Sequence, residues 1–270
     1  MTAGRMMGPA ARAWSADGIY LALDTSTSLG SVCLAEGSRV IAERVIRGQG
    51  SHSSDLIPAI DGVLREAGMD ISELVGLVVG AGPGSFTGVR VAAATAKGLV
   101  RALDIPLWAV SSLEAGALAV DIDRFEPSVD IMASADRNGG RAAALSDEEL
   151  AWPRYILFDA RSDRVYGACY RPTGDGFDVL IPPHSTTIGA VLSGGLPFSV
   201  FAGDGAQKHA DEIRGAGFAL LPAPFGMPTA AGLLRALANS PSSEPVEDVG
   251  RWQPEYLRSS SAERRSGPSA

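Results

Sequence analysis

The sequence predicts an α/β protein built as two related lobes, each a mixed β-sheet with helices packed on it. Three observations carry this. Apolar strand-like runs joined by short polar turns open the chain at 19–46 and reappear at 155–181. Between later strands lie segments such as 55–67 and 89–103, with apolar residues at three- and four-residue spacing, the period of a helix with one buried face. The second half also opens as the first does. Leu21-Ala22-Leu23-Asp24 and Leu157-Phe158-Asp159-Ala160 are each followed by a polar turn and a returning strand. That repetition predicts a duplicated lobe facing a shared cleft.

Residues 1–18 contain Arg5 and Arg12 but no continuous apolar core. They read as a disordered extension rather than a signal peptide or anchor, with Met6 or Met7 as alternative starts. The first lobe is expected over 19–120. Ile19-Tyr20-Leu21-Ala22-Leu23 is a strand ending in Asp24-Thr25-Ser26-Thr27-Ser28, and the runs 31–35 and 39–46 complete an antiparallel meander. An acidic residue at a strand end beside a Ser/Thr turn can orient hydrated Mg²⁺ or a phosphate, so Asp24 and Ser28 are cofactor candidates. The same residue types also cap ordinary turns. A polar loop at 48–54 leads to a helix at 55–67, with Leu56, Ile60, Val63 and Leu64 on one face and Pro58 in its first turn.

The chain is organised around Gly80-Ala81-Gly82-Pro83-Gly84-Ser85-Phe86-Thr87-Gly88-Val89-Arg90, which joins the buried strand 74–79 to the helix 89–103. It lacks the Gly-Lys-Ser/Thr ending of a phosphate-binding P-loop, and its glycines do not fit G-x-G-x-x-G. Two readings stay open: a tight joint packing helix on sheet, or an anion cradle built from the N–H groups near Gly82 and Gly84. The helix carries small residues at Ala92, Ala93, Ala94, Ala96 and Gly98, which predicts a closely packed partner helix. A strand at 105–110 and a helix opening at Ser111 or Ser112 complete the lobe.

Pattern is lost over 121–153, read as an insertion or linker between the lobes. Arg137 and Arg141 there read as solvated charges. The second lobe is expected over 154–258. Strands at 155–158, 164–170, 178–181 and 198–202 lead to Gly203-Asp204-Gly205-Ala206 and a helix through Arg214; a short strand at 218–221 and a helix at 229–239 follow. Residues 240–250 read as a linker, and Pro254-Glu255-Tyr256-Leu257-Arg258 closes the ordered chain before a disordered tail at 259–270.

Composition narrows the function. With 46% hydrophobic residues, 270 residues suffice for a substantial core. The net charge of −8 argues against a broad basic footprint for nucleic acid. Cys33 and Cys169 stand singly in apolar runs, which suits a reducing cytoplasm, and no run approaches the ~20 apolar residues of a spanning helix. His52, His184 and His209 lie far apart, and Leu56 occupies the place where a second histidine would complete H-x-x-x-H, so no metal centre is expected.

Several motifs now occur in order: D-T-S-T at 24–27, S-H-S-S-D-L-I-P at 51–58, G-P-G-S-F-T-G-V-R at 82–90, A-T-A-K-G-L at 94–99, D-A-R at 159–161, A-G-D-G-A at 202–206 and P-E-Y-L-R at 254–258. In these the chain resembles the TsaB family of bacterial tRNA threonylcarbamoyladenosine biosynthesis proteins, once described as glycoprotease-like. The likeness runs from Ile19 to Arg258 and is densest through Val110; residues 121–153 depart from it. It implies the actin/Hsp70/sugar-kinase-like fold and a non-catalytic subunit that pairs with the transferase TsaD and works with the ATPase TsaE. It implies contact with tRNA only through that complex, and a homodimer when the chain is alone. No catalytic residue is implied. The partner surface falls on the two first-lobe helices, with His52, Leu56, Ile60, Val63, Val89, Ala93, Ala96 and Val100 as candidate contacts. No cofactor is obligatory; the place the resemblance leaves for ATP or ADP with Mg²⁺ is the partner interface. The rival functions are a stand-alone ATPase or kinase using Asp24, and a metallopeptidase-like hydrolase.

Overall fold

The structure is a computed structural model that describes residues 13–47, 52–119, 151–173, 176–195, 198–240 and 243–257. The readings made for residues 1–12, for the bulk of the 121–153 insertion including Arg137 and Arg141, and for the tail at 259–270 lie outside the described residues.

The first sheet has the order β3-β2-β1-β4-β5, with β1 at Ile19–Asp24, β2 at Leu29–Glu36, β3 at Arg39–Arg47, β4 at Gly76–Gly80 and β5 at Leu107–Val110. Short turns join β1, β2 and β3, so these strands run antiparallel. Two helices, α1 at His52–Ala67 and α2 at Phe86–Leu103, supply the crossovers that make β4 and β5 parallel to β1. The second sheet repeats this path. It has β6 at Arg154–Asp159, β7 at Val165–Pro172 and β8 at Phe177–Thr186 antiparallel in sequence, with β9 at Val200–Ala202 and β10 at Ala219–Leu220 parallel to β6. The duplication expected from the sequence is therefore present strand by strand.

On one face of the first sheet, α1 and α2 bury Leu56, Ile60, Val63, Ala92, Ala96 and Val100 against Leu21, Leu23, Leu77 and Val79. The opposite face is covered from the far end of the chain. Helix α7, at Ala230–Asn239, sets Leu233, Leu234 and Leu237 against Tyr20, Cys33, Val78 and Trp108. Reciprocally α3, at Ser112–Leu118, leaves the first sheet and packs Leu113 and Ala117 on Ile156, Phe158 and Ala168 of the second. The two helices also pack on each other, and a Cβ on Gly232 would lie 2.9 Å from the Ala115 carbonyl oxygen. Each lobe thus caps its neighbour. At roughly 1.5–3 kcal/mol per fully buried large side chain, separating the lobes would expose several such residues at once.

Three features differ from the sequence reading. Thr187 caps an additional short helix, α4 at Ile188–Ser193, by accepting from the Ala190 N–H. The helix expected through Arg214 is two, α5 at Asp204–Lys208 and α6 at Ala210–Gly215, broken where His209 leaves the helical region at φ −109°. Residues 243–257, read as linker and second-lobe terminus, return to the first lobe as a strap. Val246 N–H donates to Leu107 O at 2.7 Å, Trp108 Nε1 donates to Ser243 O, and Lys97 Nζ donates to Gly250 O. Val246, Val249 and Trp252 join the first-lobe core, and that apolar burial explains why the strap lies there.

Candidate functional site: a closed glycine joint beneath two presented helices

The glycine-rich stretch sits where β4 ends and α2 begins, with the β1–β2 turn lying directly against it. Asp24, at the last position of β1, is completely buried. Its Oδ1 accepts from the Ser26 N–H and the Ser26 hydroxyl, each at 2.7 Å, and its Oδ2 accepts from the Ser112 hydroxyl at 2.6 Å. Ser112 Oγ in turn accepts from the Gly82 N–H, while Gly82 O accepts from the Ser112 N–H. The turn is stitched to the loop twice more. Thr25 Oγ1 donates to Gly88 O at 2.7 Å, and Ser85 N–H donates to Ser26 O at 2.6 Å. Buried polar groups need such partners, and here the chain supplies them from itself.

These contacts explain the glycines. A Cβ on Gly80 would lie 1.9 Å from Asp24 Oδ2, one on Gly84 2.3 Å from Ser26 O, and one on Gly88 1.8 Å from Thr25 O. Two of the three clashes are with backbone oxygens, which have no freedom to move aside. The glycines permit close approach of the β1–β2 turn. At the head of α2, Ser85 caps the helix by accepting from the Gly88 N–H, and Ser85 O receives the Val89 N–H. The strap closes the other side, where Glu255 N–H donates to Ala81 O at 2.8 Å.

Of the cofactor candidates, Asp24, Gly82 and Gly84 meet at this joint, while Ser28, half-buried in the same turn, stands outside its hydrogen-bond network. Most of the partner-surface candidates lie on the inner faces of the two helices. Leu56, Ile60, Val63, Val89, Ala93, Ala96 and Val100 are all buried in the monomer. Ala96, for example, is in the core beside Leu77 and Val79, so its small size brings α2 down on its own sheet. The His52 side chain lies outside the described residues. What the two helices present outward is a different set: Ile57 (56% exposed), Pro58 and Asp61 on α1, and Phe86 (53% exposed), Arg90, Ala94 and Gly98 on α2. Sequence periodicity holds the signal for this outer face, since these residues fall between the apolar positions of each helix.

The matching joint of the second lobe carries a more exposed aspartate. Asp159, at the end of β6, receives Lys208 Nζ at 2.9 Å and the Arg161 N–H at 3.0 Å. Burial pushes its carboxyl up, but those hydrogen bonds and the Lys208 charge outweigh it and leave the group below its ordinary value. Asp204 accepts from the Asp159 N–H, and burial raises its carboxyl to about 6. No group of three or more His, Cys, Asp or Glu among the described residues is placed to hold a metal ion, and none of the described helices is long and apolar enough to cross a membrane.

Comparison with known proteins bears on this geometry. A family profile described as "TsaD: tRNA N6-adenosine threonylcarbamoyltransferase" matches residues 40–140. The tRNA threonylcarbamoyladenosine biosynthesis protein TsaB of Bacillus subtilis is 43% identical over 168 residues, covering 62% of each chain. The TsaB of Haemophilus influenzae is 41% identical over 100 residues, 37% of this chain and 42% of its own length. Among solved structures, YeaZ from Pseudomonas aeruginosa superposes with a TM-score of 0.65 at 26% identity, over 89% of this chain and 100% of that one. This chain is TsaB/YeaZ-like. The twinned mixed sheets with exchanged helices are accordingly an actin/Hsp70/sugar-kinase-like fold. The aligned stretches span about two fifths to three fifths of the curated relatives' own lengths. The profile match at 40–140 includes the glycine loop, which in the structure meets the β1–β2 turn.

Proposed function

We propose that the chain is a non-catalytic partner subunit of the machinery that makes N6-threonylcarbamoyladenosine at position 37 of tRNA. In this reading it docks on a TsaD-type transferase and activates it, works with TsaE, and meets tRNA only within that assembly. It acts in the cytoplasm and self-associates as a homodimer when alone. Any ATP or ADP with Mg²⁺ would be held at the partner interface rather than within the chain. The observation that carries the reading is the closed joint. The space beside Gly84 and Gly88, where a phosphate would approach a glycine loop, is filled by Ser26 O and Thr25 O, and the Asp24 oxygens are engaged by Ser26 and Ser112. A stand-alone kinase or ATPase would need that carboxylate turned to solvent and metal.

Isothermal titration tests this. The chain is expected to bind a TsaD-type transferase from the same organism and to give no heat with Mg·ATP alone. Micromolar Mg·ATP binding with turnover by the pure chain would favour the independent enzyme instead. The presented helices yield a second measure. Ala94→Trp on the outer face of α2 should weaken transferase binding with the thermal midpoint unchanged, and unaltered co-elution would place the interface elsewhere.

A further inference from the structure

On the outer surface of the joint, the two ends of the fold meet around one side chain. Arg90, one turn beyond Phe86 on α2, lays its guanidinium carbon 3.7 Å from the centre of the Phe86 ring. Its Nε donates to the Tyr256 hydroxyl at 3.1 Å, and the guanidinium carbon lies 5.6 Å from the Tyr256 ring centre. The two rings are 5.7 Å apart. Tyr256 comes from the strap, held in place by the Glu255 N–H on Ala81 O. All three side chains are exposed, and no carboxylate among the described residues pairs with Arg90.

An arginine in this state is unusual for a bare surface. Long side chains normally lose rotamer entropy when a partner fixes them. Here stacking and the Tyr256 hydroxyl already hold the guanidinium, with Nε donating to that hydroxyl. The terminal N–H groups of an exposed guanidinium offer the planar fork that matches a carboxylate. Arginine and tyrosine are among the residue types enriched where interface energy concentrates.

We propose that Arg90, stacked on Phe86 and hydrogen-bonded to Tyr256, is the anchor that receives a carboxylate of the protein partner. This rests on the partner-subunit reading above and names the chemistry of the contact. The occupant is an Asp or Glu side chain set in an apolar surface: the guanidinium calls for an anion, and the exposed Phe86 ring against which it stacks calls for apolar cover. A protein carboxylate is favoured over an RNA phosphate because the chain carries a net charge of −8, which repels a polyanion. The strap then acquires a purpose in recognition, since it delivers Tyr256 from the far end of the sequence to orient Arg90.

The test is the affinity of the full-length chain for a TsaD-type transferase in low and high salt, with melting curves for every variant. Arg90→Gln should weaken binding by about 30-fold, the scale of a dominant interface residue. It should also flatten the salt dependence of affinity and leave the melt unchanged. Tyr256→Ala should weaken binding about 10-fold by freeing the guanidinium, and Arg90→Lys should fall between wild type and Arg90→Gln. Wild-type affinity for the transferase with no change in Arg90→Gln overturns the anchor while leaving the partner reading intact. Failure of the wild type to bind overturns the partner reading, and the anchor with it. A loss of tRNA affinity in Arg90→Gln with transferase affinity unchanged would reassign Arg90 to phosphate and overturn the proposal.

Discussion

At the end of β1, Asp24 is wholly buried and spends both carboxylate oxygens on Ser26 and Ser112; at the matching end of β6, Asp159 keeps a side chain 35% exposed and holds Lys208 at the surface. The turns that follow differ in the same sense. Thr25 and Ser26 are buried against the glycine loop, whereas Arg161, Ser162 and Asp163 stand exposed in left-handed conformations. One strand path has thus been put to two uses. In the first lobe the turn is a lock that fixes the start of α2 and the face it presents. In the second lobe the equivalent turn stays at the surface, where Asp159 ties it to Asp204 and Lys208 of α5.

The lock should fail hardest where backbone meets backbone. Gly88→Ala would push a methyl to 1.8 Å from Thr25 O, and we expect a loss of more than about 3 kcal/mol by chemical denaturation, enough to leave little folded protein at 37 °C. Asp24→Ala should cost about 3 kcal/mol by stranding the Ser26 and Ser112 donors. Asp159→Ala should cost under about 1 kcal/mol, as for an exposed ion pair. Equal losses at the two aspartates would erase the contrast between the lobes.

The sheets sharpen it further. Opposite Cys33 in the first sheet stands Glu43, and opposite Cys169 in the second stands Ile181. Glu43 is buried, with no hydrogen-bond partner for Oε1 among the described residues, and burial raises its carboxyl from 4.5 to about 7, partly offset by the Ala231 N–H. An acid whose folded pKa is raised destabilises the fold as pH climbs from about 4.5 through about 7, where its proton is lost. Glu43→Gln should therefore be neutral at pH 4 and stabilising above pH 8 by up to about 3 kcal/mol. Melting curves across pH 4–9 would show whether the gap between mutant and wild type opens in that window. The smallest effect is expected on the outer face of α2. Gly98 has open space around a built Cβ, so Gly98→Ala should add up to about 1 kcal/mol.

Much of this was legible in the sequence. Local alternation marked the meanders, and three- and four-residue spacing marked α1 and α2 within a few residues. The spacing of Gly80, Gly84 and Gly88 announced a close approach but not what approaches, because the Thr25 and Ser26 carbonyls come from a strand end some 60 residues earlier. The direction of α2's small residues was likewise hidden. Ala92, Ala93 and Ala96 fit a second chain as well as they fit the lobe's own sheet, and only the packed structure shows them facing inward. The exchange of α3 and α7 left no mark at all, since an apolar stripe does not say which sheet it covers. The strap was missed because Val246, Val249 and Trp252 are too sparse among prolines and charges to form a pattern.

Reconstitution of tRNA modification with purified transferase, the TsaE-type ATPase and threonylcarbamoyl-AMP, with and without this chain, tests the account most directly. The account predicts no modified adenosine from the chain alone, little from the transferase without it, and full modification when both are present. Modification by the isolated chain, or a transferase equally active in its absence, would contradict it.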